Sequence, residues 1–385
     1  MQYTPRFHFI DNLRSTALIL GVIFHTALAY GPYFKNIWLS ADPSNSVFFD
    51  VLSNWLHLFR MPLFFVIAGF CSALIIQQNS TYAFIKLRLK RILIPFIIFF
   101  PLLAASFVHV LTWGADIADP VPAIFTVFKV IKTPLISTMH LWFLWLLMQL
   151  CLLHWVIMHI STRCQYLCSV FAKPIIACLA IATLSFAALL GQPVPFPAPD
   201  KIQPQLWGLV FYGAFYVMGI GFHHKPYRLE CSIKTIILTT IIALISVSLY
   251  LTYLPEPPTL EQVIEAAKQG SFTPTGWRHM RLVAIQAVAI VSWTVLVLQL
   301  GYLFLNRANR LSRYLSEASY WVYLVHVPLL LYIQFPLINL DLPVFAKFTI
   351  SLLATLSSSL FTYHFLVRGR FLGHLLNGKK KPEYT

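Results

Sequence analysis

Long apolar runs alternate with short polar ones along the whole chain. Ten of the runs are long enough to cross ~30 Å of hydrocarbon, for which a helix needs about 20 residues. They lie near residues 15–32, 51–76, 92–113, 141–159, 174–191, 206–222, 233–254, 282–305, 318–338 and 345–367. The pattern predicts an all-α, polytopic membrane protein of about ten transmembrane helices, with connections too short to hold a soluble domain. Residues 1–378 read as one integral membrane domain, and residues 379–385 as a basic tail. Asp11 and Arg14 precede a first run of span length, which does not fit a cleavable signal peptide.

Composition agrees. Hydrophobic residues make up 58% of the 385 and charged residues only 11%, against roughly 25% charged in a soluble domain. The net charge of +15 would suggest nucleic acid in a soluble protein. Here the basic residues fall in the short loops, so no nucleic-acid partner is expected and the lipid bilayer is the partner. Their asymmetry sets the orientation. With the N-terminus inside, nineteen Lys and Arg fall in inner segments and eight, Lys347 among them, in outer ones. The positive-inside rule then predicts both termini cytoplasmic. Cys71, Cys151 and Cys178 fall in spans, and Cys164, Cys168 and Cys231 in inner loops. None sits on an oxidising side, so all read as small apolar fillers or free thiols. No cluster has metal-ligand spacing, and no metal is expected.

A charged group near the bilayer centre costs about 2.5–3.5 kcal/mol on insertion scales, so each exception is a candidate for function. In the first span, Asp11 and Arg14 stand at the mouth and His25 lies ~16 Å deeper than Arg14, near the midplane. A buried neutral imidazole there can accept a proton; equally, it can simply bond to a neighbouring helix. The second span holds His57 and Arg60 on one face. Counted from the inner surface, Arg60 falls ~24 Å up, outside His25, where it either binds an anionic group or pairs with a carboxylate such as Asp50. Before the third span, Arg88 and Arg91 share a helix face at the level of Arg14. The run serves either as an anchor or, with Arg14, as three guanidiniums that hold phosphates.

His140-Leu141-Trp142-Phe143 opens the fourth span at the outer interface, where Trp commonly anchors. His326 falls ~10 Å above the inner surface, with a core histidine bonded to a tyrosine as the plain alternative. His109, His154 and His364 read as structural. The outer loop 255–280 contains an amphipathic stretch, 259–269, that suits an interfacial helix or a lid.

These residues together resemble the acyltransferase-3 family of integral membrane O-acyltransferases. The resemblance rests on Arg14 and His25 in the first span, Arg88-x-x-Arg91 and Phe64-Phe65-Val66-Ile67-Ala68-Gly69-Phe70. It extends to His140-x-Trp142-Phe143 and Ser319-Tyr320-x-x-Tyr323-Leu324-x-His326. The stretch from Leu56 to Phe65 looks most like the branch that acts on periplasmic glucans and transfers succinyl groups. Ala68 stands where the family usually has Ser. The resemblance implies a bacterial inner-membrane enzyme that moves a small acyl group, acetyl or succinyl, from cytoplasmic acyl-CoA to a hydroxyl of a periplasmic or cell-surface glycan. Acyl-CoA is then a donor substrate, with no permanently bound cofactor. Arg14, Arg88, Arg91, Asp11 and His326 would hold the donor, His25, Arg60 and His57 would serve catalysis, and His140 and Trp142 would bind the acceptor. Either direct attack assisted by His25 or a covalent acyl-histidine relay fits. A transporter or flippase for a glycan or anion is the competing class. Against it, the span interiors hold no Asp or Glu for a proton relay, and no repeated halves are visible.

Overall fold

The computed structural model describes residues 8–131, 137–160, 174–224, 232–269, 275–307 and 309–378. Arg6, Arg163, Cys164, Cys168, Lys173, Cys231 and the 379–385 tail lie outside the described residues. The helices are α1 (His8–Ala27), α2 (Val47–Gln78), α3 (Thr81–Arg88), α4 (Ile94–Ile117), α5 (Ile124–Val130), α6 (Trp142–Ile160) and α7 (Pro174–Leu189). They continue as α8 (Leu206–His224), α9 (Ile233–Thr252), α10 (Leu260–Gln269), α11 (Trp277–Phe304), α12 (Arg310–Ile338), α13 (Val344–Thr362) and α14 (Phe371–Asn377). Polar side chains start several of them. Ser80 accepts from the Ala83 N–H, and Asn309 from the Leu311 N–H at 2.9 Å, satisfying donors that the first turn leaves open.

Among the described residues, eight helical segments are long and apolar enough to cross a membrane, so the chain is an all-α, multi-pass membrane protein. The other two of the ten predicted spans are helical but fall short of that measure. Helix α7 has 16 residues, and α1 carries Asp11, Asn12, Arg14 and His25, which dilute its apolar run. The membrane-facing wall is plainest on α9, where Ile237, Leu238, Ile241, Leu244 and Ile245 are all exposed, an apolar surface that suits lipid.

Successive long helices run antiparallel, and both ends of the described chain lie at one end of the bundle. There the Asn12 amide donates to the Leu305 and Arg307 carbonyls, and the Asn377 amide to the Glu317 carbonyl. The tightest seam joins α2 to α8. A Cβ at Gly69 would overlap the Tyr216 carbonyl, and one at Gly219 the Val66 carbonyl, so the two backbones touch where a larger residue could not fit. Helices α1 and α12 run parallel: Arg14 meets Ser316, and ten to eleven residues further along each helix His25 meets His326.

At the opposite end, the 28–46 loop is tied down by a buried ion pair. Lys347 Nζ donates to Asp42 Oδ1 at 3.0 Å and Oδ2 at 2.9 Å. Lys347, expected in a solvated outer loop, is instead 1% exposed, because the loop folds back over α13 and brings its carboxylate along.

Candidate active site

A cavity of about 1570 Å³ runs through the bundle. One mouth is walled by Arg14, Arg88, Arg91, Arg368 and His374, the middle by His25, Arg60, His140 and His326, and the other mouth by Trp38, Phe196, residues 255–259 and Gln262. The cavity therefore spans the bundle from its basic end to its opposite loops.

Local chain chemistry builds the basic mouth. Arg88 closes α3, and residues Leu89–Leu93 form a single π-helical turn before α4, a widening often found at functional positions. Arg88 Nη2 donates to Ser72 Oγ at 2.7 Å, and Arg14 Nη2 to the Ser316 carbonyl at 2.7 Å and hydroxyl at 2.6 Å. Both Nε atoms are buried without a partner. Each guanidinium is thus positioned by neutral oxygens, and Glu317 lines the same mouth. Pro95 removes the N–H that an α-helix would offer to the Arg91 carbonyl, and the Tyr320 hydroxyl donates to that oxygen at 2.9 Å.

The same device organises the middle. Pro328 lies inside α12 and frees the Leu324 carbonyl four residues earlier. His140 Nε2–H donates to it at 2.9 Å. The Tyr323 hydroxyl donates to the His140 carbonyl, so two bonds hold the 137–141 segment inside the bundle, at the level of the middle of α12. That segment turns at Met139, whose φ of 51° is a left-handed conformation uncommon outside glycine. Ser137 and Thr138 brace the turn by donating to Asp200, through its side chain and its carbonyl respectively. Irregular backbone at membrane depth is tolerated where it lines a cavity, which is its position here.

Carbonyl oxygens only accept, so they fix imidazole tautomers. His57 donates from Nε2 to the Phe196 carbonyl at 2.8 Å. His326 donates from Nδ1 to the carbonyls of Val322 at 3.0 Å and Tyr323 at 2.8 Å. His25 has no hydrogen-bond partner among the described residues. Its ring lies 5.3 Å from that of His326 and stacks on Trp38 at 5.8 Å. Arg60 is 6% exposed. Its Cζ sits 4.1 Å above the Phe24 ring, and it has no carboxylate partner among the described residues.

Nine of the ten residues singled out from sequence line this one cavity: Arg14, His25, His57, Arg60, Arg88, Arg91, His140, Trp142 and His326. Asp11 does not line it. Four expected positions are corrected. Arg60 does not stand outside His25: its side chain folds back against Gly21 and Phe24, the turn preceding His25. Asp50 is not its partner, because that carboxylate accepts the Tyr33 N–H at 3.0 Å. His140 and Trp142 are not interfacial. Their segment dips inward, His140 onto α12 and Trp142 onto Tyr212, 5.2 Å between ring centroids. His326 is level with His25 rather than shallower, and it bonds to backbone rather than to a tyrosine hydroxyl. His109 and His154 bond to the hydroxyls of Tyr332 and Tyr216, a structural use. Helix α10 begins at Leu260, and its Val263 and Ala266 line the cavity at the mouth opposite the arginines.

Sequence reasoning missed Trp38, Ser316 and Ser72, and it quoted Tyr323 only within a motif, without a role. The prolines were the available signal for one group, since each interior proline leaves a carbonyl that something must satisfy.

Apolar helices around a continuous cavity with cations at one mouth and imidazoles at its centre define an integral membrane protein built for internal chemistry. The chain belongs to the acyltransferase-3 family, whose "Acyltransferase domain" matches residues 7–364; it is a multi-pass membrane acyltransferase. It is 27% identical over 348 residues to Glucans biosynthesis protein C of Salmonella heidelberg (strain SL476), covering 85% of this chain and 83% of that one. The protein of the same name from Escherichia coli O17:K52:H18 is 25% identical over 345 residues, with the same coverage. No solved structure matches the chain.

Proposed function

We propose that the protein transfers a small acyl group, acetyl or succinyl, from cytoplasmic acyl-CoA to a hydroxyl of a periplasmic or cell-surface glycan, in the bacterial inner membrane with both termini cytoplasmic. The observation that carries this reading is the continuity of the cavity, from three guanidiniums at one mouth past an unpartnered imidazole to the opposite loops. The name that the relatives carry, Glucans biosynthesis protein C, supports a glycan acceptor.

The donor's phosphates dock on Arg14, Arg88 and Arg91, where the described hydrogen bonds of Arg14 and Arg88 go to neutral oxygens. Its pantetheine arm follows the cavity for the ~16 Å between Arg14 and His25, which sets the thioester at mid-bundle. The glycan hydroxyl enters from the other mouth, past Trp38 and Trp142. His25 accepts the hydroxyl proton as oxygen attacks the thioester carbon. Arg60 faces the negative charge that develops, or the distal carboxylate when the donor is succinyl-CoA. The acyl–oxygen bond forms, the carbon–sulfur bond breaks, and the CoA thiolate leaves with the electron pair. A thioester is already activated, so the step needs no metal.

The deciding measurement is transfer by purified protein, without an ion gradient, from acetyl-CoA or succinyl-CoA to glucose oligomers. Transfer by the wild type and its loss in His25→Ala, which inserts normally, are the expected results. Near-normal transfer by His25→Ala would remove His25 from the mechanism. Gradient-dependent movement of glycan without acylation would instead make the protein a transporter.

A further inference from the structure

The chemistry at mid-bundle needs a place for a proton between its departure from the acceptor and its arrival on the leaving group. The two imidazoles that face each other there differ in how well they can hold it. His25 has no acceptor on either nitrogen; its Nδ1 is sealed in the protein, and its Nε2 side faces the cavity. Were His25 to become an imidazolium, its second N–H would point at no oxygen, with the Arg60 cation beside it.

His326 is built differently. Its Nδ1–H is committed to two carbonyl oxygens of its own helix, at 3.0 and 2.8 Å, so the lone pair is on Nε2. The residue is 4% exposed and lines the cavity. His140, whose ring lies 5.7 Å away at 88°, spends the one N–H of its neutral ring on the Leu324 carbonyl, so it cannot cap His326 Nε2. An imidazolium at His326 keeps both carbonyls as acceptors, and hydrogen bonds to an ionised group are roughly twice as strong as neutral ones. The orienting group that a serine-protease histidine finds in a carboxylate is here a pair of peptide oxygens.

We propose that His326 is a second catalytic residue, the proton-holding partner of His25. This rests on the transferase reading above. The acceptor O–H bond breaks and its proton bonds to His25 Nε2 as the acceptor oxygen bonds to the acyl carbon. The proton then passes to His326 Nε2, restoring neutral His25. When the carbon–sulfur bond breaks, the thiolate takes the proton from His326, so both imidazoles end neutral and the products are ester and CoA thiol. A donor-binding role for His326, the expectation from sequence, has no such use for a fixed tautomer.

The experiment compares wild type, His326→Gln and His326→Ala in detergent-purified form, with succinyl-CoA and acetyl-CoA as donors and glucose oligomers as acceptor. Glutamine keeps a polar group near the carbonyls but cannot take a proton, so kcat should fall by about 10²-fold, the low end for a general acid–base group, with donor KM within about twofold of wild type. In His326→Ala, added imidazole should restore part of kcat, and restoration should rise across a series of imidazoles of increasing basicity. A purely structural role would not produce that dependence. The proposal is overturned if His326→Gln keeps kcat within about threefold of wild type, or if the loss lies in donor KM alone. Should His326→Gln fail to fold, the alanine variant decides: basicity-dependent rescue supports the proposal and its absence overturns it. If wild type transfers nothing, the transferase reading itself falls, and this proposal with it.

Discussion

Lys347 on α13 and Arg60 on α2 are both buried cations, 1% and 6% exposed, but their surroundings have little in common. Lys347 meets both oxygens of Asp42, and the loop that carries Asp42 is held further by Ser40 Oγ donating to Gln334 Oε1 at 2.6 Å and by the 2.8 Å contact of Tyr30 with Ser351. Arg60 meets a phenylalanine face and the cavity. Burying an unpaired charge costs several kcal/mol; on the function proposed above, the cavity keeps Arg60 for an anion that arrives later. The paired cation belongs to the architecture, and the proposed function assigns the unpaired one to the chemistry.

That contrast breaks most visibly at the ion pair. Lys347→Met leaves the Asp42 carboxylate buried alone and should cost about 3–5 kcal/mol of stability, read as a lower unfolding temperature in detergent, with transfer per folded molecule unchanged. Adding Asp42→Asn should recover most of the loss. Equal unfolding temperatures for the single and double variants would show that the two residues do not act as a pair.

Arg60→Gln should do the reverse, holding or raising stability while damaging transfer. If Arg60 receives a distal carboxylate, succinyl transfer loses about 1.5–3 kcal/mol, roughly one to two decades in kcat/KM, and acetyl transfer much less. A ratio between donors within about twofold of wild type would assign Arg60 to the reacting carbonyl or the acceptor instead. Arg60→Lys should recover only part, because an ammonium keeps the charge without the planar fork.

In the proposed mechanism the guanidiniums at the basic mouth are remote from the reacting carbon and contribute mostly uniform binding. Arg88→Ala with Arg91→Ala should therefore raise donor KM with kcat retained; unchanged donor KM would remove the phosphate dock. The smallest loss of transfer is expected at Pro328→Ala. The restored N–H competes with His140 for the Leu324 carbonyl, so kcat should fall by a few-fold, worth about 1 kcal/mol. Helix stability should rise, because proline disfavours a helix interior by about 3 kcal/mol relative to alanine. An unchanged kcat would mean that His140 is not positioned by that bond.

Much of this molecule was legible in the chain alone, for a local reason. Span length, apolar continuity and the placement of basic runs depend on neighbours within about twenty residues, so all ten predicted spans are helical. Arg14, His25, Arg88 and Arg91 could be placed by depth because a helix rises uniformly. Depth counting failed where tertiary structure bends the count. The Arg60 side chain turns back along α1, the 137–141 segment leaves the interface and enters the bundle, and Lys347 finds its carboxylate in a loop some three hundred residues away in sequence. Those outcomes depend on which polar group meets which orphaned carbonyl or charge once the helices pack. Periodicity determines which residues stand on a helix and at what height. Only packing decides which of them face one another, because a buried polar group is held by partners that the sequence places far apart.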